Sequence, residues 1–168
     1  MPAIARYGTV DIAAVSKVMA EDCRAMVQVL SGSLQGRLVL LHWAGEPITP
    51  QRSTAQGINI MPDILARLDV AFTVPPPNTP KPEVSFQTSG QITRVIGMGL
   101  PDRQWQGEGC WLAQPEALYN PQISSEVYLS PGDYPIRILI RYSRRLEVSM
   151  EFILVSPNSW EGLQLAPT

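Results

Sequence analysis

Residues 136–154, IRILIRYSRRLEVSMEFIL, decide the predicted fold, because apolar and polar residues alternate on both sides of a short polar break. Such alternation places apolar side chains on one face of a β-strand and polar side chains on the other. Two alternating runs joined by a short polar segment, here residues 143–145, are typical of an antiparallel hairpin.

One pairing register satisfies both faces of this hairpin, with apolar residues opposite each other and each arginine opposite a carboxylate. The cross-strand pairs in this register are Tyr142–Leu146, Ile138–Met150, Arg141–Glu147 and Arg137–Glu151. It implies a three-residue loop in which Arg145 takes the left-handed backbone conformation that usually favours glycine or asparagine. A longer or bulged turn is the alternative.

Composition and charge limit the function classes. The chain has 168 residues, of which 45% are hydrophobic, enough for one domain or one domain with a packed extension. Charged residues make up 17%, against about 25% in an average soluble domain. A net charge of −2 argues against nucleic-acid binding, and the arginines near residues 137–145 lie beside Glu147 and Glu151. A weakly charged chain with 16 prolines fits burial against partners, or a β domain punctuated by proline.

The N-terminal residues lack the pattern of a signal peptide, and no apolar run approaches the length of a membrane span. We therefore expect no membrane association, and a location in a virion or a cytoplasmic assembly. Cys23 and Cys110 do not form a disulfide framework, and whether they pair stays open. Cys23 is expected to be a small buried hydrophobe.

Residues 10–30 are predicted to form one long helix, capped by Thr9. Its apolar residues recur at spacings of three and four, and they are Ile12, Val15, Met19, Cys23, Met26 and Leu30. The chain is therefore predicted to be α+β and mainly β, an antiparallel β-sandwich-like sheet with one long N-terminal helix.

Strands are predicted in the remaining apolar or alternating segments. They cover residues 37–43, 58–61, 69–74, 84–88, 91–98, 110–113 and 127–129. Residues 63–68 form either a short helix opened by Pro62 or part of an extended segment, 64–74. Residues 114–122 are predicted to be irregular, and residues 158–168 a tail.

Residues 75–82, PPPNTPKP, are the strongest linker signal, since proline cannot join a sheet interior or a helix. They divide the chain into residues 1–74, with the arm, helix and first strands, and residues 83–168, with the β-rich half and tail. A single domain crossed by a rigid connector is the alternative, and a ligand for an SH3-like partner is a further interpretation of the prolines.

No catalytic, cofactor or metal motif is present in the sequence. His42 is the only histidine, and it lies in an apolar strand without a nucleophile motif elsewhere. The acidic residues are scattered singly, so no calcium loop is indicated. We therefore expect no cofactor and no enzyme activity, although a hydrolase using an unrecognised carboxylate pair stays open.

Aromatic residues cluster in the loop-rich region before the hairpin. Aromatic side chains beside polar loops hold sugars in many β-sandwich modules, so Asp102, Trp105, Glu108 and Trp111 form the candidate ligand surface. The alternative interpretation is that these aromatics close the sandwich edge or a subunit contact.

Residues 127–157, including YLSPGDYPIRILIRY, resemble the closing strands of PA14-type β-sandwich modules. The matching residues are Leu129, Gly132, Tyr134, Pro135, Ile136 and Arg137. The resemblance implies a β-sandwich ending. The family's paired-aspartate calcium and sugar motif has no counterpart here, where residues 107–110 are only a distant substitute.

These observations together predict a non-enzymatic structural subunit of a large assembly, namely a virion or phage-tail-like component. Its partners are expected to be other subunits, in a homo-oligomer or a hetero-assembly. The expected contact residues lie in the arm, the proline tract and the tail, and they are Tyr7, Pro75, Pro76, Pro77, Trp160 and Leu163. A carbohydrate-binding module is the alternative.

Overall fold

Two antiparallel β-sheets form the fold. The structure, a computed structural model, describes residues 3–15, 17–46, 57–76, 91–96, 107–119 and 125–168. Its strands are β1 (Ala3–Ala13), β2 (Ala20–Val29), β3 (Leu38–Leu40), β4 (His42–Trp43), β5 (Ile58–Ile60), β6 (Leu65–Thr73), β7 (Gln91–Ile96), β8 (Cys110–Leu112), β9 (Tyr128–Leu129), β10 (Gly132–Tyr142), β11 (Leu146–Ser156) and β12 (Gln164–Pro167). The described helical segments are α1 (Pro115–Tyr119) and two short 3-10 helices, Ser125–Val127 and Trp160–Gly162.

Sheet I has the order β7-β1-β6-β8-β9, with β4 also paired to β6. Sheet II has the order β12-β11-β10-β2-β3, with β5 also paired to β2. Both sheets contribute fully buried side chains to one core cluster, among them Tyr7, Leu68 and Phe72 from sheet I and Val27, Ile136 and Ile138 from sheet II. The indole Nε1 of Trp43 donates to the carbonyl oxygen of Cys23 at 3.0 Å, which joins β4 to β2. The mainly β, sandwich-like prediction is confirmed.

The hairpin forms in the predicted register. β10 and β11 pair from Gly132–Ser156 to Tyr142–Leu146, so the four predicted cross-strand pairs are all present. The turn differs in detail, because positive φ angles fall on Ser143 (48°) and Arg144 (70°), not on Arg145.

The long helix predicted over residues 10–30 is wrong. This segment forms the end of β1, a connection and β2. In β2 every second side chain is buried, namely Cys23, Ala25, Val27 and Val29. β2 lies between β10 on one side and β3 and β5 on the other, so its backbone pairs in a sheet on both sides. The apolar residues of this segment fit a period of two as well as a helical period, and strand pairing decides between them.

Residues 37–43 are extended as predicted, but they divide between the two sheets. β3 pairs with β2 in sheet II, whereas β4 pairs with β6 in sheet I. Between them, the amide of Leu41 donates to Ala25 at 2.9 Å and the amide of His42 donates to Ala113 at 3.0 Å. The chain therefore crosses from one sheet to the other at Leu41.

The extended alternative for residues 64–74 is correct, and the short helix at Pro62 is not formed, because β6 begins at Leu65. The strands near residues 58–61, 110–113 and 127–129 are present as β5, β8 and β9. Of the two strands predicted after the proline tract, the second is present as β7, and residues 84–88 lie outside the described residues. The segment predicted to be irregular contains α1, and the predicted tail contributes β12 to sheet II.

Strands from both sides of the proline tract join in each sheet. β1 pairs with β7 and β6 with β8 in sheet I, while β2 pairs with β10 in sheet II. Residues 75 and 76 are half-buried, and residues 77–82 lie outside the described part of the chain. The described portions of the two halves therefore share both sheets and one core.

Candidate interaction surface

The structure places the predicted ligand residues in different environments. Asp102 and Trp105 lie outside the described residues, and Glu108 is exposed. The Trp111 side chain is only 4% exposed. Its ring stacks on Phe72 at a centroid distance of 5.6 Å and meets the Tyr128 ring edge-on at 5.2 Å. Trp111 is therefore part of the core of sheet I and offers no free ring face to a sugar.

Glu108 belongs to a tightly fixed loop. Its carbonyl oxygen accepts a hydrogen bond from the Tyr128 hydroxyl at 3.1 Å, and the amide of Gly109 donates to Pro157 at 2.7 Å. Burial raises the pKa of Tyr128, and the negative charge of Glu108 adds to that shift. Gly109 has a φ of 76°, and a side chain there would meet the Leu129 carbonyl oxygen. These contacts give the loop a structural role.

His42 and Asp69 form a buried pair, which the sequence did not indicate. The His42 Nδ1 lies 2.9 Å from the Asp69 carboxylate, and its Nε2 lies 2.9 Å from the Glu46 carbonyl oxygen. A carbonyl oxygen only accepts, so Nε2 carries a hydrogen and donates it. Both ring nitrogens are thus used within the fold, where the two residues are also cross-strand partners in β4 and β6. The pair fixes β4 to sheet I.

The residues predicted to contact other subunits also lie in different environments. Tyr7 and Leu163 are 1% and 0% exposed, so their side chains pack inside this chain. Trp160 is half-buried, and its carbonyl oxygen accepts from the Thr73 hydroxyl at 2.6 Å. Pro75 and Pro76 are half-buried, with Pro76 against Gly107, and Pro77 lies outside the described residues.

Both cysteines are free and buried, so they do not pair with each other. Burial raises the pKa of Cys110 to about 12, although a hydrogen bond with Ser156 works against the shift. Burial also raises the pKa of Cys23. Because the thiolate is the reactive form, neither residue has the environment of a catalytic cysteine. Within the described ranges, no group of histidine, cysteine or acidic residues could hold a metal ion.

Large apolar side chains are exposed together at one end of the sandwich, here called the end surface. It consists of Val15, Val18, Met61, Ile64 and Leu65, with exposures of 100%, 72%, 48%, 59% and 65%. Strand pairing brings together the two segments that carry these residues, because Ala13 pairs with Leu65, Ala14 forms a bridge to Pro62 and Ala20 pairs with Ile60. The sequence pattern did not indicate this surface, since it placed Val15 in the apolar stripe of the predicted helix.

An apolar groove of about 230 Å³ lies beside the end surface. Its lining includes Ile12, Ala14, Cys23, Ile60, Ile140 and Tyr142, with Val15 and Val148 also contributing. The groove therefore runs from the β1–β2 connection to the tip of the hairpin.

A polar cleft borders the same end. It is lined by Glu21, Asp22, Asn59, Ser143 and Arg144. The amide of Ser143 donates to the Glu21 carbonyl oxygen at 2.7 Å, and the amide of Asp22 donates to the Asn59 side chain at 3.0 Å. The cleft ties the hairpin tip to the start of β2, and its lining carries charges of both signs.

Comparison of the chain with protein-family models, with curated proteins and with solved structures found no match. The resemblance to PA14-type modules stays a prediction. In the portion of the chain that the structure describes, no helix is both long enough and apolar enough to cross a membrane.

Proposed function

We propose that this chain is a non-enzymatic structural subunit of a larger protein assembly, of virion or phage-tail type, and that it binds a different subunit through the end surface. The observation that carries the proposal is the cluster of five exposed apolar side chains at one end of the sandwich. Contiguous exposed apolar surface of this kind is typical of interaction sites, whereas single exposed apolar residues are ordinary.

The shape of this region favours a protein partner over a small ligand. Val15 and Val18 project from the connection between two strands and are mostly exposed, so they suit insertion into a partner. The adjacent groove, at about 230 Å³, is smaller than the roughly 300–1,000 Å³ of most small-molecule sites.

The residues whose side chains are best suited to catalysis or ligand binding also support a structural role. His42 uses both ring nitrogens inside the fold, Trp111 is stacked in the core, and the Cys110 thiol is fully buried. These three side chains are thus used for packing and hydrogen bonding within the fold. The exposed apolar side chains of the end surface are therefore the groups that would gain free energy from burial against a partner.

The proposal is tested by incorporation into the native particle. The double variant Val15→Ser/Ile64→Ser removes two exposed apolar groups, and we expect it to be lost from the particle fraction after sedimentation. Leu38→Ser is the matched control, because Leu38 is 51% exposed but pairs with Gln28 at the far end of β2. All three substitutions should leave the melting temperature nearly unchanged.

Two results would contradict the proposal. One is that the wild-type chain, recovered from its source, sediments entirely as a free protein. The other is that the double variant enters the particle as well as Leu38→Ser does.

A further inference from the structure

Strand β11 has one open edge near the hairpin turn. It pairs with β10 along its whole length, but β12 covers it only from Phe152 to Val155. Beyond that point, the amide of Thr168 donates to the Glu151 carbonyl oxygen at 3.4 Å. Among the described residues, no strand pairs with this side of residues 146–150.

The alternation of an antiparallel ladder identifies the backbone groups at this edge. The Glu151 carbonyl oxygen faces β12, and backbone groups two residues apart point in the same direction. The amide and carbonyl groups of Glu147 and Ser149 therefore point outward from the sheet. An exposed row of such groups is a template for pairing with another strand.

The two faces of this edge segment differ in character. Leu146, Val148 and Met150 form one face and are exposed by 53%, 46% and 36%. On the other face, Glu147 pairs with Arg141 at 3.2 Å and Glu151 pairs with Arg137 at 2.8 Å. A strand that pairs here must present apolar side chains on one face. On its other face it must present side chains that are compatible with neighbouring carboxylates.

We propose that this edge pairs antiparallel with the same edge of a second copy of the chain, about a two-fold axis at Val148. The self-complementarity of its side chains identifies the partner. In this register apolar residues meet apolar residues, and the Glu147 carboxylate meets the Ser149 hydroxyl. The facing pairs are Val148–Val148, Leu146–Met150 and Glu147–Ser149.

Neighbouring registers are unfavourable. An axis at Glu147 places that carboxylate opposite its own copy, and an axis at Ser149 places Glu147 opposite Glu151. With the axis at Val148, Glu147 and Ser149 are the residues that exchange backbone hydrogen bonds, as their outward groups require.

This inference goes beyond the proposed function, because it concerns contact between identical copies and uses the β11 edge instead of the end surface. Either can fail without the other. The variant Val15→Ser/Ile64→Ser should therefore leave the two-copy contact intact, whereas variants of the edge should remove it.

The sharpest test is a cysteine placed on the axis. In the proposed register the two Val148 residues form a pair without backbone hydrogen bonds, with a Cα separation of about 4.5 Å. That separation allows a disulfide. We expect Val148→Cys to form a disulfide-linked dimer under mild oxidation, seen by intact mass and by electrophoresis without reductant. The native cysteines are buried and should not take part.

Met150→Cys is the matched control for this test. In the same register, residue 150 lies roughly 13 Å from its own counterpart, too far for a disulfide. Equal dimer yield from Val148→Cys and Met150→Cys would overturn the register, and absence of a dimer from both would overturn the inference.

A charge variant gives a second measurement on a protein without added cysteines. Ser149→Glu places a second carboxylate opposite Glu147 of the other copy, so we expect loss of the dimer in size-exclusion chromatography with light scattering. Ser149→Lys introduces a charged side chain at the same position but places the opposite charge against Glu147, and it should leave the dimer in place. A wild-type chain that is monomeric at every concentration, or equal loss of the dimer in both variants, would contradict the inference.

Discussion

The two halves of strand β11 in the hairpin have the same alternating sequence pattern but different environments. Near the base, Leu154 is 0% exposed. Near the tip, on the same face of β11, Leu146 and Val148 are 53% and 46% exposed. Alternation therefore defines which side chains share a face, whereas coverage by another layer decides whether that face is buried.

The base is covered because other segments close over it. The Ser156 hydroxyl donates to the Leu129 carbonyl oxygen at 2.8 Å, which joins β11 to β9 of sheet I. β12 also pairs with β11 there, and the preceding Leu163 is fully buried. At the tip, the amide of Ser143 bonds to Glu21, but β12 does not reach this part of β11.

The largest expected contrast comes from one substitution made in both halves. Leu154→Ala removes a fully buried side chain and should lower the free energy of unfolding by about 2–5 kcal/mol. Leu146→Ala removes a half-exposed side chain, so its cost should stay below about 1 kcal/mol. Denaturant unfolding at low protein concentration measures both. Equal costs would show that the tip is covered in solution.

A smaller contrast comes from serine hydroxyls. Ser156→Ala leaves the carbonyl oxygen of Leu129 without its side-chain donor, and we expect a loss of about 1–3 kcal/mol. Ser149→Ala changes an exposed side chain at the tip and should alter stability by less than about 0.5 kcal/mol. Thermal unfolding of the two variants checks this difference, and an unchanged Ser156→Ala protein would contradict the assigned link between the sheets.

The buried thiol of Cys110, which forms a hydrogen bond with Ser156 at the hairpin base, should make the stability of the fold depend on pH. Its pKa is raised from 9.0 to about 12, so above pH 9 the unfolded chain loses this proton while the folded chain keeps it. The contribution of the protonated Cys110 thiol to the free energy of unfolding is fully present below pH 9 and is lost as the pH rises toward 12. At pH 10 the loss should be about 1 kcal/mol. Cys110→Ala should remove this part of the slope. Identical slopes in both proteins between pH 8 and pH 10 would contradict the burial of the thiol.

The smallest effects are expected from the ion pairs on the outer face. Arg137–Glu151 lies toward the base and Arg141–Glu147 toward the tip, and their side chains are all more than one-third exposed. Because solvent screens exposed pairs, each should contribute less than about 1 kcal/mol, with little difference between the two halves. Double-mutant cycles measure each pair. A coupling energy well above 1 kcal/mol at the base alone would show that coverage extends to the outer face.

The parts of the fold that were predicted correctly are those in which two independent patterns agree. In the hairpin, both the apolar pairs and the Arg–Glu pairs require one register, and the structure has it. Residues 10–30 offered a single apolar pattern, which fitted two periods, and the helix prediction was wrong. A strand with partners on both sides, such as β2, satisfies its backbone through neighbours that are distant in sequence.

The candidate site was predicted less well, for a related reason. Trp111 was chosen because it is aromatic and near polar loops, but its ring is buried between Phe72 and Tyr128. The end surface consists of ordinary aliphatic residues whose importance comes only from their exposure. Residue type suggests what a side chain can do, but it does not show whether solvent reaches it.

The strands and the register of the β10–β11 hairpin follow from the sequence alone, because its interactions are local and act on both faces of the same segment. Long-range contacts make β2 a strand, leave the β11 side of the hairpin tip uncovered and bring the segments that carry Val15 and Ile64 to one end of the sandwich. Those outcomes depend on contacts between segments far apart in the chain, and no single stretch of residues determines the free energy of such contacts.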